Sequence, residues 1–271
     1  MRMPKTPPNF ADLWQELAGY PEKLLRLINV GSLGPKERYV HWDKLVHLTP
    51  PNGLTHKDWW LALKLARTTA TKKLPLLIDK QGKPFGYALV DPIPKLLHEI
   101  DLQAGGRIEM PSQITNPDTK DQYYVESLIE EAITSSQLEG ATTTRRVAEQ
   151  LIRSGRRPSD RSETMIFNNY LTMKKIAGLQ KEPLTPALVL EIHDRVTRDT
   201  LDEPDACGRL RKASEDIVIG NDEGSIFHRP PHADELEERL ERMCQFANGA
   251  PEDTFIHPVL RSLILHFWLG Y

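Results

Sequence analysis

The sequence predicts a mostly α-helical protein interrupted by two short β-hairpins. Three observations carry this reading. Apolar residues recur at three- and four-residue spacing between Asp121 and Ile133, helix-start signals precede several such segments, and two runs switch to short apolar stretches around polar turns.

From Phe10 to about Arg67 the pattern is helical: Leu13 and Leu17, then Leu24, Leu25, Leu27 and Ile28, then Trp42, Leu45 and Val46. Pro50 and Pro51 break one helix, Thr55 is placed to cap the next, and Trp59, Trp60, Leu63 and Leu65 give that helix its buried side. Leu76, Leu77 and Ile78 and then Tyr87, Ala88, Leu89 and Val90 flank Lys80-Gln81-Gly82-Lys83, which predicts a β-hairpin. Ile93 to Leu102 reads as a short helix. The turn-rich stretch from Gly105 to Pro117 marks a domain boundary near residue 115, dividing the chain into a helical extension with a small hairpin (1–115) and a second domain (116–271).

The strongest helix signal starts at Asp121, where Val125, Leu128, Ile129, Ala132 and Ile133 form one apolar stripe. Helices are expected at Thr143 to Ser154, Ser159 to Gly178, Thr185 to Thr200, Ala233 to Ala247 and His257 to the end. Thr185-Pro186 and His257-Pro258 set proline in first turns, where its missing N–H costs nothing. Between them, Ile217-Val218-Ile219-Gly220 and Ile226-Phe227-His228 bracket a Gly/Asn/Asp turn, so a second β-hairpin is expected.

Composition restricts the class. With 39% hydrophobic and 27% charged residues over 271 positions, the chain can bury a core and is no disordered tail. No apolar run reaches the roughly 18 to 20 residues needed to cross a bilayer, and Met1 to Pro8 holds no apolar leader core, so a cytoplasmic protein with no membrane partner is expected. Cys207 and Cys244 lie in no paired motif and are read as reduced, space-filling thiols. A net charge of −3 makes nucleic acid an unexpected partner, and the run Arg145, Arg146, Arg153, Arg156, Arg157 and Arg161 is read as a solvated face.

Ser135-Ser136-Gln137-Leu138-Glu139-Gly140 ends the best-patterned helix. Ser135 and Glu139 are four residues apart and share a face, while Gly140 can adopt the helix-stopping conformation. A carboxylate there opposes the negative end of the helix dipole by about 0.3 to 1 kcal/mol, so a cationic partner is expected. The alternative is an ordinary helix end with a solvent-facing Glu.

In context, the chain resembles the Fic family, in the branch whose inhibitory helix precedes the catalytic core and reads Ser/Thr-x-x-x-Glu-Gly/Asn; the matching residues are Ser135, Glu139 and Gly140. Downstream, Asn168-Asn169-Tyr170 resembles an early core helix, and Gly208-Arg209-Leu210-Arg211 the approach to the flap. Ile217 to His228 resembles the flap hairpin, Arg229-Pro230-Pro231 and Leu236, Leu240 and Met243 the next segment, and Phe255-Ile256-His257-Pro258 the helix before the catalytic loop. The likeness covers roughly residues 121–271. It implies a helical Fic-like core with a hairpin flap whose parent protein transfers AMP from ATP to a protein hydroxyl, with ATP and Mg²⁺ as cofactors.

The same resemblance implies roles. Glu139 would occupy a guanidinium that otherwise grips the γ-phosphate, with Ser135 supporting it by a hydrogen bond. The hairpin residues Ile217, Val218, Ile219, Gly220, Phe227 and His228 would dock a protein substrate as an added strand. A homodimer is compatible with it.

The family's chemistry resides in His-Pro-Phe-x-Asp/Glu-Gly-Asn-Gly-Arg, where His is the general base, the acid holds Mg²⁺ and the glycines cradle phosphate. That string does not occur in these 271 residues. His257-Pro258 is followed by Val259-Leu260-Arg261, with no carboxylate and no phosphate nest. No catalytic residue is therefore expected in this chain, and neither ATP nor metal is expected to bind it. His228, His232 and Asp234 make a poor metal set, Gly220 to Gly224 lacks the Lys-Ser/Thr of a phosphate loop, and His193 and Asp194 are too close in sequence to face each other. The competing expectation is a non-catalytic DNA- or protein-interaction module with a degenerate Fic domain.

Overall fold

Thr55 opens the dominant helix of the N-terminal third. Its hydroxyl accepts from the Asp58 amide while the Asp58 carboxylate accepts from the Thr55 amide, a reciprocal cap that starts helix α4, His56–Thr69. In the computed structural model, which describes residues 4–17, 19–30, 39–51, 53–104, 117–179, 181–221, 224–251 and 254–271, the fold is mostly α with two small antiparallel hairpins.

Two compact units share the chain. One comprises Met1–Arg107 together with Val218–Arg229, and the other Ile108–Ile217 with Pro230–Tyr271. The boundary expected near residue 115 lies outside the described residues.

In the first unit, α1 (Phe10–Leu17), α2 (Pro21–Ile28) and α3 (Trp42–Leu45) pack Leu13, Leu17, Leu27 and Leu45 against α4, which buries Trp59 to Leu63 without a break. Five consecutive buried residues exceed one helical face, so α4 is the central element rather than a surface helix. Asp58 is held by Lys23 at 2.7 Å, tying α2 to the start of α4. Strand β1 (Thr71–Ile78) follows directly and pairs antiparallel with β2 (Pro84–Ala88) in the register Thr71 to Ala88 and Leu74 to Phe85. The Asp79 carboxylate closes the turn by accepting from the amides of Gln81 and Lys83, both at 2.8 Å. Helix α5 (Ile93–Ala104) comes next. The same unit contains the second hairpin, β3 (Ile219–Gly220) and β4 (Ile226–His228).

The second unit starts with α6 (Pro117–Leu138), α7 (Arg145–Ser154) and α8 (Arg161–Ile176), whose shared core is Ile129, Ile133, Ala141, Ala148, Ile152 and Ile166. Thr144 caps α7 and Asp160 caps α8 through N3 amides. The buried carboxylate of Glu163 is held by Arg156 at 2.5 and 2.7 Å and by the Ser159 amide and hydroxyl at 2.7 and 2.9 Å. Arg156, with those Ser159 bonds, outweighs burial and pulls its pKa down to about 2. Helices α9 (Pro186–Thr197), α10 (Leu236–Ala247) and α11 (Pro258–Gly270) complete the unit, with Leu240, Met243, Phe246, Ile256 and Trp268 buried. Proline occupies the first turn of α9 and α11, as the sequence predicts. No helix among the described residues is long and apolar enough to cross a membrane.

Candidate functional site

Helix α6 ends in a well-defined C-terminal cap. The Ala141 amide donates to the Ser136 carbonyl at 2.9 Å and the Gly140 amide to the Gln137 carbonyl at 3.1 Å, with Gly140 at φ +100°. This is the paired bonding of a Schellman motif. It makes Glu139 the last residue before the chain turns, and it requires at position 140 a residue without Cβ strain.

Two polar bonds fix that end to α8. The Asn169 amide nitrogen lies 2.7 Å from Ser135 Oγ and 3.3 Å from Ser136 Oγ, and the Ser135 hydroxyl itself donates to the Glu131 carbonyl at 2.6 Å. The Ser135 hydroxyl is thus committed to Asn169 and Glu131 and makes no bond to the Glu139 carboxylate; the two residues meet only through the backbone, Glu139 amide to Ser135 carbonyl at 3.1 Å. The Glu139 side chain is exposed, and it has neither a hydrogen bond nor an ion pair among the described residues. Among the described residues no cation pairs with Glu139, and water screens an exposed terminus enough to make a lone carboxylate tolerable there.

The run of arginines is mostly neutralised. Arg145 binds Glu130 and Glu149, Arg153 binds Glu126, Arg156 binds Glu163 and Arg161 binds Asp202. Four of the six guanidinium groups thus meet carboxylates of the same unit, which lowers the attraction of this face for polyanions.

The second hairpin, in the first unit, pairs Ile219 with His228 and Gly220 with Ile226. Gly220 is obligatory, since a Cβ there would lie 2.8 Å from the Ser225 carbonyl oxygen. Asn221 closes the turn, its side-chain oxygen accepting from the Ser225 amide at 2.8 Å; the turn residues Asp222 and Glu223 lie outside the described residues. Ile219 and Ile226 are about half exposed, whereas Val218, Phe227 and His228 are half-buried. Ile217, 56% exposed, falls in the second unit.

Within the second unit a cavity of about 620 Å³ opens between α9, the 201–217 segment, α10 and the end of α11. Leu190, Leu240, Met243 and Trp268 give it a largely apolar wall, and three arginines line it. Each is occupied. Arg209 makes a two-pronged pair with Glu215 at 2.6 and 3.0 Å, Arg239 binds Glu235 at 2.8 Å, and Arg211 donates to the Pro231 carbonyl. Arg209 and the Lys212 amide together hold the Glu215 carboxyl down to about 2. Arg209 and Arg239 are thus paired with carboxylates, while Arg211 is held by a neutral carbonyl, and the rest of the wall is largely apolar.

The histidines serve the backbone. His193 Nδ1 accepts from the Gly208 amide at 3.0 Å, so its proton is on Nε2, and Gly208 sits at φ +68° with Asp194 too near for any Cβ. His257 Nδ1 accepts from the Val259 amide at 3.2 Å and caps α11. His232 and Asp234 approach to 3.1 Å, and no group of three or more His, Cys, Asp or Glu among the described residues could hold a metal ion. Cys207 and Cys244 are free thiols, and burial raises the pKa of Cys244. Sequence reasoning missed the Arg209–Glu215 pair and the Asn169 bonds, because neither partner set follows a helical or strand period.

The sequence profile of the Fic/DOC family matches residues 183–271. The second hairpin, the Gly208 to Arg211 turn and His257 fall within the match, while Ser135, Glu139 and Gly140 precede it. No curated protein matches the chain.

Proposed function

We propose, from the match of residues 183–271 to the Fic/DOC family profile, that the chain is the regulatory and target-docking portion of a protein AMP-transferase, held inactive by Glu139. The observation that supports this reading most is the rigid yet unpartnered carboxylate. The Gly140 cap and the Asn169 bonds fix the backbone at position 139, and nothing among the described residues neutralises the side chain. A carboxylate held in place without a counter-charge is primed to take a guanidinium supplied by another segment, in a two-pronged pairing worth more than its exposed state.

In this reading the hairpin receives the target as an added strand. Its exposed Ile219 and Ile226 flank the incoming backbone, and β3, only two residues long, leaves strand-edge groups for it. ATP and Mg²⁺ would be held by the family's motif, a string that the 271-residue sequence does not contain.

The test uses this protein extended by a segment carrying the family's His-Pro-Phe-x-Asp/Glu-Gly-Asn-Gly-Arg motif. Glu139→Gly should raise transfer of label from radioactive ATP onto protein at least tenfold. Labelling that stays at the parent level removes the inhibitory role, and absence of labelling in both forms removes the AMP-transferase reading.

A further inference from the structure

The net charge of −3 conceals a division. Residues 1–107 hold 16 Lys and Arg against 10 Asp and Glu, a net +6, whereas residues 108–271 hold 19 against 28, a net −9. The excess in the first part concentrates where α4 runs into β1. Lys64, Arg67, Lys72 and Lys73 fall within ten residues that contain no acid.

Three features set this stretch apart from an ordinary solvated face. First, Lys64, Lys72 and Lys73 have no carboxylate partner among the described residues, unlike the arginines of α7 and α8, which are mostly paired. Three carboxylates of the first unit are engaged elsewhere, Asp58 with Lys23, Asp43 with His41 and Glu99 with Lys95. Second, Lys64 and Arg67 are one turn apart on α4 and packed on aromatic rings, Lys64 lying 5.0 Å from the Trp60 centroid and Arg67 3.6 Å from that of Tyr39. Burial, and then Arg67 beside it, push the Lys64 ammonium below its ordinary value, and burial does the same to Arg67. The fold thus holds the two cations together in a partly buried place at the end of α4. Third, Lys72 and Lys73 are exposed on successive residues of a paired strand, so the ribbon carries a cation on each face right beside the helix end.

We propose that the end of α4 and the first residues of β1 form a docking surface for duplex DNA, with Lys64, Arg67, Lys72 and Lys73 contacting phosphates. A duplex fits better than a single strand. Of the rings beside these cations, Trp60 is buried and Tyr39 has one face covered by Arg67, while the cations recur at helix and ribbon spacing. The surface shares no residue with Glu139 or with the second hairpin, so it does not rest on the AMP-transferase reading.

The test is fluorescence anisotropy of the full chain with a labelled 20-base-pair duplex of mixed sequence, titrated between about 50 and 200 mM salt. Four phosphate contacts give a slope of log affinity against log salt of about −3 to −4. Lys72→Glu with Lys73→Glu, both exposed strand positions, should weaken binding at least tenfold and flatten the slope by about 2. Arg146→Glu with Arg157→Glu in the second unit makes the same charge change and should leave affinity within twofold. Absence of binding at the lowest salt, equal loss from both double variants, or tighter binding of a single strand of the same length would overturn the proposal. So would polyglutamate displacing the duplex as well as unlabelled DNA does, since the partner would then be an acidic protein.

Discussion

Asn169 on α8 and Ser135 on α6 are joined at 2.7 Å, and the same amide reaches Ser136 at 3.3 Å. One side chain thereby locks the last turn of α6, the turn that presents Glu139. Asn169→Leu leaves the buried Ser136 hydroxyl without that donor, which should cost about 1 to 3 kcal/mol. Thermal denaturation should show it, along with faster hydrogen exchange at the amides of residues 139 to 141; unchanged exchange there would mean the cap stands without Asn169.

Gly140→Ala tests the cap itself. No atom lies within 4 Å of the added Cβ, so any cost comes from forcing φ +100° on an L-residue. A loss of about 1 kcal/mol or more is expected, a fall in Tm of about 2 to 4 °C for a chain of this size.

Glu139→Gln should behave in the opposite way. With no cation to lose and an unfavourable dipole to escape, the variant should match the parent or gain a few tenths of a kcal/mol in chemical denaturation. A clear destabilisation would reveal a partner for the carboxylate within the chain.

The pH dependence of stability should carry the mark of Glu163. Its folded pKa is depressed from the ordinary 4.5 to about 2. Its contribution is therefore complete above pH 4.5, where the unfolded carboxyl is ionised too, and is lost as pH falls towards 2. Glu163→Gln should lower stability at pH 7 by about 1 to 3 kcal/mol and flatten the curve between pH 5 and 2; an unaltered acid limb would assign the acid sensitivity to other carboxylates.

Gly220→Ala should disrupt the second hairpin by driving a methyl into the Ser225 carbonyl at 2.8 Å. In the motif-extended protein it should reduce labelling of a target far more than it reduces binding of ATP. Equal loss of both would place the hairpin outside target docking.

Much of the fold is legible in the sequence because its punctuation is local. Thr55 with Asp58, Thr144, Asp160 and the Thr185-Pro186 and His257-Pro258 pairs announce helix starts through chemistry spanning three residues. Gly140 and Gly82 announce turns for the same reason. The apolar stripe of α6 is read correctly at Ile129, Ala132 and Ile133, but Val125 remains 39% exposed, since a period identifies a face without saying how far its cover extends. Links between distant residues leave no such mark. Asn169 to Ser135 spans 34 positions, and Arg209 pairs at 2.6 Å with Glu215 across a loop and only at 3.7 Å with Asp205, which is closer in sequence. The charge of the first unit was present in the sequence throughout, and summing over the whole chain cancelled it.

The membership of Val218–Arg229 in the first unit has a consequence for synthesis. Lys80, in the turn after β1, donates to the Arg229 carbonyl at 2.5 Å, so part of the N-terminal unit is completed by residues translated about 150 positions later. On the ribosome, that unit must wait until most of the following helices have emerged before its last pieces arrive. A nascent chain halted after α5 would therefore expose the ground that the hairpin later covers, and an N-terminal fragment cut near residue 107 should be more readily digested by protease than the same residues in the whole protein.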